Sequence, residues 1–145
     1  MRIERRFTEP GKSPYDAIPL RESASEIRNP DGSVVFRLES FIVPAHWSQV
    51  AADILAQKYF RKAGVPAVAK KVEETFLPSW LWRSVADEAA LEALPEEARF
   101  GGETDARQVF DRLAGTWTYW GWKAGYFSSE EDASAFFDEL RYMLA

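Results

Sequence analysis

The sequence predicts a mainly α, α+β fold: a helical domain with an antiparallel C-terminal helix pair and a small N-terminal β-hairpin. Three observations predict it. Asn29-Pro30-Asp31-Gly32 is turn chemistry, with proline presetting φ and glycine free to take positive φ. It is followed by period-two alternation, Val34, Phe36 and Leu38 against Val35, Arg37 and Glu39, the mark of a half-buried strand. Apolar residues then recur at spacings of three and four in several later stretches, the mark of helices with one buried face. At 145 residues, 46% hydrophobic and without internal repeat, the chain suits a single domain over 1–145, with an irregular arm (1–24), a β-hairpin region (25–43) and a helical remainder (46–145).

Pro10, Gly11, Pro14 and Pro19 break any regular element in the arm. Ser25 to Arg28 is expected to pair with the strand that follows the turn. Phe41-Ile42-Val43 would add a short third strand, ended by Pro44. The first helix is expected to place Trp47, Val50, Ala51, Ile54, Leu55 and Tyr59 on its buried face, with Gly64 and Pro66 as the stop. Lys70 to Thr75 reads as a charged loop, Pro78 to Trp82 as one helical turn, and Asp87 to Leu94 as a short helix. Thr104 caps the next helix, which carries Val109, Phe110, Leu113, Trp117 and Trp120 on one face and is ended by Gly121 and Gly125. Ser128 caps the last, with Glu131 as capping-box partner and Phe136, Phe137 and Leu140 turned inward. The connection between these two helices is short, so they should pack antiparallel.

The composition excludes several chemistries. The chain has no cysteine, so no thiolate metal site, disulfide or thiol nucleophile exists in it; this also fits a cytoplasmic protein. His46 is its single histidine and lies at a helix start, which leaves no usual zinc set and no Ser-His dyad to argue. No phosphate-cradling glycine loop is present. No apolar run nears the roughly 18 residues of a membrane span, and the charged first residues lead into no apolar stretch of a signal peptide. Net charge is −5, divided between residues 1–71 (12 Lys/Arg against 8 Asp/Glu) and residues 72–145 (6 against 15). Such a balance disfavours direct nucleic-acid binding, which needs clustered cations. Catalytic and metal residues are therefore expected to be absent. One cluster stands out: Trp117, Tyr119, Trp120, Trp122, Tyr126 and Phe127 fall within eleven positions, with Lys123 among them. Rings beside a cation can stack a nucleobase or a corrin edge, so Trp117, Trp120, Trp122 and Lys123 are the candidate cofactor-binding residues. The competing reading is a core or interface helix with rings on several faces.

Several stretches carry a family resemblance. The hairpin Glu26-Ile27-Arg28-Asn29-Pro30-Asp31-Gly32-Ser33-Val34-Val35-Phe36 resembles the N-terminal hairpin of the vitamin B12-dependent (class II) ribonucleotide reductases. So do Trp47-Ser48-Gln49-Val50-Ala51, Lys58-Tyr59-Phe60-Arg61 and Pro78-Ser79-Trp80-Leu81-Trp82-Arg83-Ser84. The most specific match is the Trp-rich run from Gln108 to Lys123. The resemblance implies a parent that reduces ribonucleotides to deoxyribonucleotides for DNA synthesis, with adenosylcobalamin raising a thiyl radical on a barrel cysteine and a second cysteine pair supplying electrons. None of those cysteines can be carried over to this sequence. The resemblance therefore implies a non-catalytic N-terminal segment with no cofactor of its own, whose partner is the remainder of the reductase chain, the catalytic barrel. A homodimer contact is a further option. It also implies that the parent continues past Met143-Leu144-Ala145. The alternatives from the residues alone are a module that binds a nucleotide or cobalamin edge on the Trp/Tyr cluster, and a free-standing protein-interaction domain.

Overall fold

The computed structural model describes all 145 residues, and its architecture is mixed α and β. Strand β1 (Leu20–Arg28) pairs antiparallel with β2 (Val34–Pro44) through the expected turn. In that turn Gly32 has φ +86°, its N–H donates to the Asn29 carbonyl at 2.9 Å, and the Asp31 carboxylate accepts from the Ser33 N–H at 2.8 Å. β1 begins at Leu20, inside the stretch expected to be irregular. Its inward face explains why no apolar alternation announced it. Ser23 and Ser25 are the buried residues there, and they contact the side chains of Gln49 and Gln57 rather than a greasy layer. Phe41-Ile42-Val43 is not a third strand but part of the end of β2, opposite Arg21 to Ser23. A register shift between Ser23 and Ser25 bends the ribbon, so one long strand does what two were expected to do.

Helix α1 (Gln49–Ile54) is capped by the Ser48 hydroxyl, which accepts from the Ala51 N–H at 3.2 Å. It runs directly into a π-helical turn, Leu55–Tyr59, closed by the Phe60 N–H on the Leu55 carbonyl. The buried residues are Ala52, Leu55, Ala56 and Phe60, whereas Val50, Ile54 and Tyr59 are exposed. The expected face was thus rotated. The spacing admits two overlapping sets, and the small alanines win because they let the helix approach the edge-on ring pair Phe41–Phe60, whose centroids lie 5.6 Å apart. The wider π turn then carries Phe60 into that core.

The middle of the chain is less helical than its apolar pattern suggested. Four short strands form two small antiparallel pairs: β3 (Val65–Pro66) with β6 (Phe100–Gly101), and β4 (Ala69–Lys71) with β5 (Ser84–Ala86). Lys70 and Lys71 therefore lie in a strand, not a loop. Pairs of two or three residues carry no readable period. Between them lie a 3-10 turn (Ser79–Leu81), helix α2 (Glu88–Glu92) capped by Asp87, and a second 3-10 turn (Glu96–Ala98).

Helices α3 (Ala106–Lys123) and α4 (Glu130–Leu144) pack antiparallel. Arg141 meets Asp111 at one end, and the Phe137 ring lies over Gly115 further along. Their caps sit one residue beyond those expected: Asp105, in a capping box with Gln108, and Ser129, which accepts from the Asp132 N–H. The core joins Phe41 and Val43 of β2, Leu55 and Phe60, and Val109 and Phe110 of α3.

The first residues clip onto α4. Glu139 accepts the backbone N–H groups of Arg6, Phe7 and Thr8 and the Thr8 hydroxyl, and Asp132 accepts the Ile3 N–H at 2.7 Å. Arg5 reaches Asp138 at 2.6 Å. Burial pushes the Glu139 carboxyl up, but the Thr8 hydroxyl and the three N–H donors outweigh it and hold it below its ordinary value. Asp132 is lowered by the Ser129 hydroxyl and the Ile3 N–H. Both groups are depressed in the folded chain, so their contribution is complete above the ordinary carboxylate range and is lost as pH falls through the folded values. The arm should therefore lose amide-exchange protection at Arg6 to Thr8 on acidification below about pH 4, before the α3–α4 pair opens. Simultaneous loss at both places would show that the arm is not a separate clip.

Candidate functional site

The aromatic cluster is built by the C-terminal half of α3 and by how that helix ends. Gly125 has φ +69°; its N–H donates to the Trp122 carbonyl and the Tyr126 N–H to the Gly121 carbonyl, both at 2.9 Å. This double closure stops the helix and folds Tyr126 and Phe127 back over it. Gly125 is the stop, and Gly121 is not, since the helix runs through it. A Cβ at Gly121 would stand 2.9 Å from Cε2 of Phe127, so this glycine lets the Phe127 ring lie on the helix backbone. Phe127 in turn packs against Phe136 of α4, centroids 5.4 Å apart.

The outcome is an open groove of about 390 Å³ lined by Met1, Trp117, Trp120, Tyr126, Phe127 and Phe136, together with Gly121 and Ala124. No charged side chain lines it. Trp120 is 62% and Trp117 43% exposed, large values for tryptophan.

The four candidate residues do not converge. Trp117 and Trp120 lie on the groove. Trp122 lies on the other side of α3, where its Nε1–H donates to the Phe76 carbonyl at 2.8 Å. Lys123 faces the Tyr119 ring and hydroxyl, and that hydroxyl donates to Glu74 at 2.7 Å. Glu74 is held below its ordinary range by Tyr119 and by Arg83. Trp122 and Tyr119 thus fasten the segment around residue 76 to α3, and Lys123 is not poised over the groove. The periodicity of the helix separates these positions, although nearness in sequence suggested one cluster.

Two features of the surface were not legible in the sequence. Phe136 reads as core but forms a groove wall. Phe76 has φ +68° and is 91% exposed, a strained backbone under a solvent-facing ring, and no local pattern marks it. His46 is exposed in the turn before α1. No grouping of three or more His, Asp or Glu side chains is arranged to hold a metal ion, and no helix is long and apolar enough to cross a membrane.

Since Trp120 contributes to no packed core, Trp120→Ala in the 145-residue chain should leave stability within about 0.5 kcal/mol of wild type, by chemical denaturation. A loss above about 2 kcal/mol would place the ring in the core.

A family model described as class II vitamin B12-dependent ribonucleotide reductase matches residues 21–145. Among curated proteins, the chain is 73% identical, along its entire length, to the vitamin B12-dependent ribonucleotide reductase of Agrobacterium fabrum. It is 68% identical to that of Bradyrhizobium diazoefficiens, again over 145 residues. With that of Streptomyces clavuligerus the identity is 31% over 99% of the chain. The chain spans only 11% or 12% of the length of these relatives.

Proposed function

We infer the role of this chain from the fact that it belongs to the class II vitamin B12-dependent ribonucleotide reductase family: it serves as a non-catalytic N-terminal structural domain of such an enzyme. The observation that carries the reading is the match along the whole chain to a small fraction of much longer reductases, in a sequence without a single cysteine. The full-length protein would reduce ribonucleotides to deoxyribonucleotides in the cytoplasm, using adenosylcobalamin. The remainder of the polypeptide, including the catalytic barrel, would be the partner of this domain. We read the domain as mainly helical in what stabilises it, because α3 and α4 supply the long packed surfaces while the middle strands are short.

The cofactor does not fit the residues present. A corrinoid needs a broad concave surface and polar groups for its amide rim. The groove is open, small for such a ligand and lined without a charged side chain, and the lone histidine is exposed outside it. No step of the reaction is therefore assigned to this chain, and the cofactor is read as belonging to the rest of the protein. A ligand module on the Trp/Tyr cluster is the second reading. What favours it is the exposure of Trp117 and Trp120.

The purified 145-residue chain is expected to show no ribonucleotide reduction, because a thiyl radical and a dithiol both require cysteine. It should show no calorimetric signal with adenosylcobalamin at micromolar concentrations. Micromolar binding that disappears in Trp120→Ala would replace the structural reading with the ligand reading.

A further inference from the structure

We propose that the Trp117–Trp120 groove is the surface on which this domain docks to the rest of its own reductase polypeptide. This deepens the structural role above and rests on it.

The six tryptophans divide into two groups. Four donate their indole N–H inside the domain: Trp47 to the Ala145 carbonyl at 2.9 Å, Trp80 to Glu130 at 3.0 Å, Trp82 to the Leu77 carbonyl at 3.1 Å and Trp122 to the Phe76 carbonyl. Trp117 and Trp120 donate to nothing, and they are the two exposed on the groove. Each presents a large apolar face with a free donor at its edge, the combination that anchors an interface when a partner supplies apolar contact and a carbonyl acceptor. The groove is preformed: Gly121 seats Phe127, Phe136 backs it, and the Gly125 turn holds Tyr126 at the rim. Binding would order little that is not already ordered.

Two facts select the occupant. Most of each full-length relative lies outside the stretch this chain matches, so the same polypeptide offers the partner at high effective concentration. Charge then disfavours a second copy. The first turn of α4 beside the groove carries Glu130, Glu131 and Asp132, and residues 72–145 hold 15 acidic against 6 basic side chains. A symmetric pairing through this face would oppose like charges, whereas a covering surface with an apolar centre, exposed carbonyls and a basic rim would not.

The test is hydroxyl-radical footprinting of a full-length reductase carrying this domain, with oxidation read tryptophan by tryptophan. On an uncovered groove, Trp120 and Trp117 would be the fastest of the six. Docking reverses the order, and both should oxidise roughly fivefold more slowly than Trp122, because a docked anchor is sealed from water. Trp120→Ala in the full-length protein should return Trp117 to the fast group. Retention of the fast order in the wild type would overturn the proposal. So would protection that fades on dilution, which indicates a second copy, or protection that needs added adenosylcobalamin or nucleotide, which indicates a ligand site. The structural role is tested apart from the groove: if deleting residues 1–145 destabilises the remaining protein while the tryptophans stay fast, that role stands and this surface is the wrong one.

Discussion

Phe110→Ala should destabilise the 145-residue chain by about 3–5 kcal/mol, the range for emptying a large aromatic site in a packed core. Phe110 is 3% exposed, and its ring is met by Trp47 at 5.7 Å and Tyr15 at 6.4 Å between centroids. The ring stands on α3 and its two neighbours come from the arm and from the turn before α1, so the cavity cannot close by moving one element. Tyr15 is itself anchored by its hydroxyl on Asp111 at 2.8 Å, which limits collapse further. The melting temperature should fall by roughly 10 °C. Phe137→Ala should cost less. Its ring is half-buried, stacked between Trp80 and the Arg141 guanidinium, and water can fill part of the space. Equal and small losses at both positions would mean that α3 and α4 do not carry the core.

Arg112→Met should cost about 3 kcal/mol through a charge rather than a cavity. Glu103 is 5% exposed and receives Arg112 through two hydrogen bonds of 3.0 Å, with the Arg61 N–H as its third donor at 2.9 Å. Arg112 also donates to the Tyr59 carbonyl, so one side chain joins the end of the π-helical turn to α3. Burial pushes the Glu103 carboxyl up, but Arg112 and the Arg61 N–H outweigh it and hold it below its ordinary value. Removing the guanidinium leaves a buried carboxylate with one donor, whose raised pKa then favours protonation. The stability gap between wild type and Arg112→Met should therefore shrink as pH falls from about 7 towards 4. A double variant, Glu103→Leu with Arg112→Met, should recover much of the loss, since no unpaired charge remains. A gap independent of pH, with no recovery in the double variant, would reduce Arg112 to a packing residue.

Local chemistry and composition settle part of this molecule without help from distant residues. The Asn29 to Gly32 turn, the strand after it, the glycine stop at Gly125 and the two C-terminal helices are each set within a few residues, and all stand where the residues placed them, with caps displaced by one and Val34 exposed where the alternation turned it inward. The absence of cysteine is likewise a sequence fact, and the Trp-rich run from Gln108 to Lys123 carried the family. Tertiary structure decided what depends on distant partners. β1 reaches back to Leu20 because β2 and two glutamines satisfy serines that look exposed on their own. The buried face of α1 is chosen between two overlapping stripes by the Phe41–Phe60 ring pair, which no helical period encodes. The aromatic run divides across α3, with Trp122 and Tyr119 consumed by the segment near residue 76 and Trp117 and Trp120 left facing solvent. Spacing along a helix fixes which rings share a side, but only the packing of α4 and the preceding loops decides which side is already filled.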